Sequence, residues 1–299
     1  LVRRIHLKRP ERKIKRSTGR ITLRLVENPD ILSEVCACKA RRVVAGFADN
    51  SVNQLLGLDE NREATIALVS LGYSQSRGLI DAEFEIASVS QLSLATFPPV
   101  SEGEVCFSSI LDMHAASSLG SPDEVAGWCQ EMQMRSPNFH GQAVSVDLSS
   151  LSNTAPSDFV EPVIARRGST RSFGRVPINF RELVTLLERA TAPIPADFLA
   201  RAHEPFSDIY LIVNSVRGLP SGAYAFHRYL FHRNGGFLER LENGRFRKQA
   251  GALAVGQDIA GDASVNIYFM CDLERILKTF GNRGYRAAQL ESAITAGRM

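Results

Sequence analysis

Residues 209–227, with the sequence IYLIVNSVRGLPSGAYAFH, decide the fold of this chain. The run at 208–216 is rich in β-branched and aromatic residues, a composition typical of a β-strand. Glycine and proline then interrupt the run at 218–222, and these are the residues that tight turns require. A second apolar run follows at 223–227. The sequence therefore predicts two consecutive strands joined by a turn.

Towards the C-terminus, the same pattern continues as an antiparallel meander. The Asn-Gly-Gly segment at 234–236 predicts a tight turn into a further strand at 237–241. Another strand is predicted at 265–271, and helices are predicted at 245–255 and from Tyr285 onwards. Helices combined with sequential antiparallel strands indicate an α+β fold.

Towards the N-terminus, the sequence predicts a helix that begins after Asn179. Asn179 is a favoured capping residue, and Glu182 stands at the capping-box position. Apolar residues then recur at helical spacing on one face: Phe180, Leu183, Leu186, Leu187 and Ala190. We expect this face to pack on the sheet.

The segment RRGSTRSF at 166–173, which we call the clamp segment, lies just before this helix. Its arginine side chains offer planar forks of donors that suit a phosphate monoester, and a serine hydroxyl adds one more hydrogen bond. Gly168 lets the backbone approach a ligand closely. The candidate phosphate ligands are Arg166, Arg167, Ser169 and Arg171. Composition alone leaves an ordinary basic loop open as the alternative.

Taken together, these pieces resemble the nitroreductase-like flavoprotein superfamily. Within it the chain is most similar to the SagB-type dehydrogenases, a branch that includes the flavin subunits of azoline-forming peptide synthetases. The resemblance rests on the segments quoted above and on FGNRGYRAAQLE at 280–291, and it covers roughly residues 162–299. It implies a nitroreductase-like α+β fold, in which an antiparallel-containing mixed sheet is flanked by helices.

The resemblance also implies a cofactor and an activity. FMN would be held by Arg167, Ser169 and Arg171, with Arg166 as a helper, and hydride would pass through the flavin N5 atom. The expected substrate is a modified peptide or a small redox-active molecule, with NAD(P)H as the candidate electron donor. The expected assembly is a homodimer or a tandem pseudo-dimer. The catalytic residues stay unknown, because the sequence offers no convincing Ser-His-Asp or Cys-His arrangement.

One departure from the family bears on the substrate. In azoline-oxidising relatives a Lys-Tyr pair commonly precedes the Gly-x-Arg-Gly-Tyr-Arg segment, and here those positions are Thr279 and Phe280. Neither side chain replaces an ammonium or a phenol in acid-base work, and Lys278 lies one residue early. The sequence therefore argues against azoline oxidation. The open alternative to an enzyme is a truncated, non-catalytic nitroreductase-like module that acts as a binding or scaffold protein or is an inactive remnant.

The first part of the chain resembles the same superfamily more weakly. Residues 42–72 look like the C-terminal end of a further copy of the fold, and residues 105–135 look like the linker of tandem members. We therefore expect a tandem member truncated at both ends, with an incomplete second unit and the remnant of a first. Its parts are a basic tail at 1–24, a C-terminal remnant at 25–72, a linker at 73–160 and the N-terminal part of an FMN-binding domain at 161–299.

Local patterns in this first part predict three elements. A helix at 49–58 is expected to begin with Asp49 as its cap and to stop at Gly57. An apolar run at 64–71 predicts a buried strand, and a helix is predicted at 123–134. His114 is most simply a hydrogen-bonded structural histidine.

The composition of the 299-residue chain excludes several other classes. The net charge is only +3, and no aromatic side chain lies among the basic residues of the tail, which argues against a platform for stacking single-stranded nucleic acid. We expect a solvated tail, and nucleic-acid binding by this tail is the open alternative. No apolar run is long enough to cross a membrane. The five cysteines lack the spacing of a disulfide framework or a metal site, which indicates the reducing cytoplasm and no structural metal.

Overall fold

The structure is a computed structural model that describes residues 2–6, 9–10, 21–24, 43–69, 104–131, 162–163, 166, 168, 170–199, 205–227 and 237–299. Arg167 and Ser169, two of the predicted flavin ligands, lie outside these residues. Most of the predicted linker and much of the predicted basic tail also lie outside them.

The described residues form both helices and antiparallel strands, so the prediction of an α+β fold is confirmed. The strands are β1 (Val2–His6), β2 (Arg9–Pro10), β3 (Ile21–Arg24), β4 (Val43–Val44), β5 (Glu63–Val69), β6 (Glu104–Val105), β7 (Ile178–Asn179), β8 (Asp208–Val213), β9 (Val216–Arg217), β10 (Gly222–His227), β11 (Phe237–Asn243) and β12 (Val265–Met270). The helices are α1 (Asp49–Leu55), α2 (Ser108–Ala116), α3 (Pro122–Glu131), α4 (Phe180–Ala190), α5 (Arg247–Leu253), α6 (Asp258–Asp262), α7 (Leu273–Phe280) and α8 (Arg283–Gly297).

The chain divides into two compact units, each built from separate stretches of sequence. Unit 1 comprises Leu1–Ser136, Ile194–Glu204 and Leu273–Gln289, and unit 2 comprises Pro137–Pro193, Pro205–Asp272 and Leu290–Met299. The domain boundaries that the sequence suggested stay a prediction.

Unit 2 contains a four-stranded antiparallel sheet in the order β11-β10-β8-β12. The meander predicted from 208–241 is confirmed, since β8 pairs with β10 and β10 with β11. Gly222 begins β10 and pairs with Asn243 of β11, and a Cβ atom there would stand 2.5 Å from the carbonyl oxygen of Glu242. The predicted turn residue therefore has a steric reason to be glycine.

The helix α4 covers this sheet, as the sequence predicted. The side chain of Glu182 accepts a hydrogen bond from the backbone N–H of Asn179 at 2.7 Å, which forms half of the predicted capping box. Leu183 and Leu187 are fully buried in the core that the helix shares with β8 and β10. Burying a side chain of this size contributes roughly 1.5–3 kcal/mol, so helix–sheet packing accounts for much of the stability of this unit.

Unit 1 contains a second sheet, in the order β3-β1-β5-β4, in which every pairing is antiparallel. The predicted strand at 64–71 is β5, and the predicted stop at Gly57 has a φ of 57°. The strands β1, β2 and β3 lie within the segment that the sequence indicated as a basic tail.

One detail of the helix predicted at 49–58 is wrong. Ala48, not Asp49, is the N-cap of α1, and no side chain caps this helix. The carboxylate of Asp49 is buried and accepts hydrogen bonds from two arginines of α8. The side chain of Asp49, which the local sequence indicated as a cap, therefore forms a long-range ion pair instead.

The C-terminal helix also differs from expectation. It begins at Arg283, two residues before the predicted start at Tyr285. Ala288 and Leu290 are buried, and Met299 packs against the core of unit 2. These residues therefore find their packing partners within this chain.

Candidate functional site

The clamp segment lies in unit 2, ahead of the short strand β7. Each of its described residues is exposed, namely Arg166, Gly168 and the stretch 170–173. The strand that follows pairs in parallel with β9, where Ile178 lies opposite Val216. The basic segment is therefore presented at the surface next to the end of β8.

Arg171 is the described clamp residue that is best placed to hold an anion. Its side chain is exposed, and no hydrogen-bond or ion-pair partner for it occurs among the residues that the structure describes. Among the described residues, a Cβ atom at Gly168 would meet nothing within 4 Å, so none of them blocks the approach of a ligand to that backbone. An open backbone beside an exposed guanidinium fits the phosphate end of a mononucleotide. The roles of Arg166, Arg167, Ser169 and Arg171 as flavin ligands stay predictions.

Three contacts fix the chain immediately after the clamp segment. The guanidinium of Arg175 forms an ion pair with Asp262, with Nε and Oδ1 2.5 Å apart. The hydroxyl of Ser264 donates to the carbonyl oxygen of Val176 at 2.6 Å. The N–H of Ile178 donates to the carbonyl oxygen of residue 215 at 3.3 Å. The segment 175–178 is thus tied to the end of α6 and to the loop after β8.

The groups that hold this segment are themselves anchored. Asn214 is buried, and its side-chain amide donates to the carbonyl oxygen of Ala263 at 3.0 Å. The backbone N–H groups of Asn214 and Ser215 both donate to the carbonyl oxygen of Ser264, at 2.9 and 3.0 Å. The local sequence contains no signal for these partners, because they lie 49 and 88 positions apart along the chain.

Unit 1 contains a separate polar cluster, centred on the carboxylate of Asp49. Arg283 donates to one oxygen of this carboxylate at 2.5 Å, and Arg286 donates to the other at 2.8 Å. Arg283 also donates to the carbonyl oxygens of Ala45 and Ser117. The cluster therefore links α1, the end of α2 and the start of α8 by bonds that satisfy buried charges.

His114 belongs to the same cluster and is hydrogen-bonded, as the sequence predicted. Its Nδ1 atom lies 2.6 Å from the Nη2 atom of Arg286. Because a guanidinium only donates, Nδ1 must accept, and the imidazole is then neutral with its proton on Nε2. Burial, and secondly the charge of Arg286, lower the pKa of His114 below its usual value.

The residues at the family's Lys-Tyr positions have structural roles here. The hydroxyl of Thr279 donates to the carbonyl oxygen of Arg275 within α7, and Phe280 is buried. Lys278 forms an exposed ion pair with Glu274. None of these contacts is that of an acid-base group facing a substrate.

Among the residues that the structure describes, no three His, Cys, Asp or Glu side chains are grouped so as to hold a metal ion. No helix in the same residues has the length and apolar character needed to span a membrane.

The fold is similar to that of a solved structure from Anabaena variabilis ATCC 29413, described as a "putative nitroreductase". The TM-score is 0.60 at 20% sequence identity, and the match covers 89% of this chain and 53% of the Anabaena chain. This chain therefore spans about half the length of that relative. A structural match at 20% sequence identity shows the fold alone, and that fold is nitroreductase-like.

Sequence comparison gives one further match. The family model of the DFP family, the C-terminal domain of DNA/pantothenate metabolism flavoproteins, matches residues 6–64. These residues are much less than half of the chain, so the match does not assign the chain to that family. No curated protein matches the sequence significantly.

Proposed function

We propose that the chain is an FMN-dependent oxidoreductase of the nitroreductase type, with the clamp segment holding the phosphate of the flavin. The observation that carries this proposal is the exposed guanidinium of Arg171, at the surface of a nitroreductase-like fold. The match of residues 6–64 to a family named for flavoproteins is in keeping with a flavin.

The residues present fit the phosphate end of FMN. At neutral pH an FMN phosphate carries between one and two negative charges, and arginine pairs with such a group by two parallel hydrogen bonds. The open backbone at Gly168 leaves room for the phosphate oxygens. When bound, FMN supplies hydride transfer through its N5 atom. The chain itself binds the flavin and fixes its orientation, and no protein nucleophile is needed.

The substrate class and the electron donor follow from the family resemblance. We propose a small redox-active molecule or a modified peptide as the substrate and NAD(P)H as the donor. Azoline oxidation is not part of the proposal, because Thr279 and Phe280 are engaged within the fold. Addition of NADH or NADPH under anaerobic conditions should bleach the flavin absorbance, and an unchanged spectrum with both would remove NAD(P)H as the donor.

The test of flavin binding uses one clamp residue and a matched control. Purified protein should be yellow or should take up added FMN. Arg171→Ala should weaken FMN binding by about ten- to a hundredfold, because it removes charged hydrogen bonds. Arg245→Ala removes an exposed arginine from the turn before α5 and should leave the affinity unchanged. Equal losses in both variants would show that only general charge matters.

A second candidate is a non-catalytic module with the same fold, acting as a binding or scaffold protein. The observation that favours it is that the match covers only 53% of the Anabaena chain. This candidate predicts a folded, colourless protein that leaves the fluorescence of added FMN unchanged. Saturable uptake of FMN by the wild-type chain would exclude it.

A further inference from the structure

We propose that Asp262 and Ser264 are positioning residues for the phosphate clamp. We call them the brace residues, since both hold the chain just after Arg171. This inference rests on the proposed function, and it assigns a role to residues that neither the motif nor the resemblance singled out.

Arg171 binds a phosphate well only if its backbone is already in place. An exposed segment that is free to move loses conformational entropy when it closes on a ligand, roughly 1–2 kcal/mol for each backbone residue that becomes fixed. Contacts that fix the segment beforehand remove this cost from binding. The stretch 170–173 is exposed, and contacts that can fix it from the C-terminal side lie directly after it.

The brace contacts lie at the C-terminal end of the segment. Arg175 has a φ of 55°, which a non-glycine residue seldom adopts without compensation. Its ion pair with Asp262 holds the residue in this conformation. One residue further along the chain, the hydroxyl of Ser264 holds the carbonyl group of Val176. Two adjacent residues are thus held from the same short stretch.

The stretch that holds them is firmly placed. Ala263 is buried between the two brace residues, and its carbonyl oxygen accepts the amide of the buried Asn214. The carbonyl oxygen of Ser264 accepts two further N–H groups from the end of β8. The brace residues therefore fix the backbone that carries Arg171 relative to the inner strand β8.

The paired charges also show that Arg175 has a different role from Arg171. The guanidinium of Arg175 is neutralised by Asp262, whereas Arg171 has no partner among the described residues. An exposed ion pair changes an equilibrium by about fivefold at most, and a neutral hydrogen bond by about two- to tenfold. We therefore expect the loss of either contact to lower the affinity for FMN moderately, and the loss of both to lower it further.

The experiment measures the affinity of the full chain for FMN and for riboflavin, which lacks the phosphate. Asp262→Asn and Ser264→Ala should each lower FMN affinity about two- to fivefold, and the double variant about tenfold, with little change for riboflavin. Asp262→Glu should restore most of the affinity. Asp258→Asn, an exposed acid at the start of the same helix, is the matched control and should have no effect.

A second readout does not depend on flavin. Asp262→Asn and Ser264→Ala should each speed tryptic cleavage after Arg171 about two- to fivefold, because each removes a contact that fixes the backbone after this residue. If the wild-type chain fails to prefer FMN over riboflavin, the proposed function fails and this inference fails with it. If the wild type prefers FMN but the brace variants keep both that preference and the cleavage rate, only the brace is overturned. A rise in FMN affinity for Asp262→Asn would also overturn it, since Arg175 would then be a latent phosphate ligand.

Discussion

At the scale of single residues, Asp49 has the largest energetic consequence. Its carboxylate is buried and lies between two guanidiniums, one of which is also buried. Removing one member of such a group leaves the others charged and unpaired in a low-dielectric environment. Asp49 is therefore a structural anchor of unit 1, and its substitution is the strongest test of that unit.

Asp49→Asn should lower the free energy of unfolding by about 3–5 kcal/mol, the range observed when a buried ion pair loses one partner. Urea unfolding followed by circular dichroism measures the change. Glu274→Gln breaks the exposed pair with Lys278 and should change stability by less than about 0.5 kcal/mol. A loss below about 1 kcal/mol for Asp49→Asn would contradict the role given to the cluster.

His114 adds a pH dependence to the same cluster. Its pKa is lowered in the folded state, so the unfolded chain takes up a proton at a higher pH than the folded chain does. Stability should therefore fall as the pH drops below the unfolded value of about 6.5, until the folded pKa is reached. The charged groups that face the imidazole are Arg286, Asp49, Glu60 and Arg283.

The measurement compares urea unfolding of the wild type and His114→Asn at pH 7.5 and 5.5. The amide oxygen of asparagine accepts the bond from Arg286 without titrating, so the variant should lose less stability than the wild type over this interval. Identical losses in wild type and His114→Asn would show that this imidazole does not respond to pH.

The site residues that were predictable from sequence are those whose signal is local. Arg171 could be found because its motif is contiguous in the chain. The partners of Asp49 and of Arg175 could not, because they lie 234 and 87 positions away. The presence of an arginine or aspartate in the sequence does not indicate which distant charged residue it will contact in the fold. For Asp49 the local pattern was misleading, since an acid at that position is also typical of a cap.

At the scale of elements, the strands of unit 2 were predictable because turn residues separate clear apolar runs. The hydroxyl of Tyr224 donates to the carbonyl oxygen of Pro220 at 2.7 Å and closes the predicted turn. In contrast, α2 buries none of its residues, so it lacks the apolar face from which a helix is recognised. The helix α7 was missed although Leu273, Ile276 and Phe280 do have helical spacing.

The contact between α7 and α8 gives a prediction at this scale. A Cβ atom at Gly284 would stand 2.8 Å from Cγ2 of Ile276 and 2.9 Å from Cβ of Phe280. Gly284→Ala should therefore destabilise the chain by about 1–3 kcal/mol through overpacking, although alanine has the better helix propensity. Gly297→Ala, at the far end of the same helix with nothing within 4 Å, should be neutral or slightly stabilising. Thermal unfolding of the two variants tests this, and a stabilised Gly284→Ala would show that the helices are not packed so closely.

At the scale of the whole molecule, the described residues form a nitroreductase-like α+β fold. The α+β architecture and the likeness to the Anabaena structure agree with what the sequence indicated. Each of the two compact units gathers stretches that are far apart in sequence. Linear composition cannot reveal such units, since it contains no information on which distant segments pack together.

The most direct test of the central claim is a comparison of FMN with riboflavin as ligands of the full-length protein. Quenching of flavin fluorescence gives both affinities in the wild type and in Arg171→Ala. The phosphate clamp predicts that the wild type binds FMN at least about tenfold more tightly than riboflavin and that Arg171→Ala abolishes most of this difference. A wild-type protein that binds neither flavin, or binds both equally, would contradict the account.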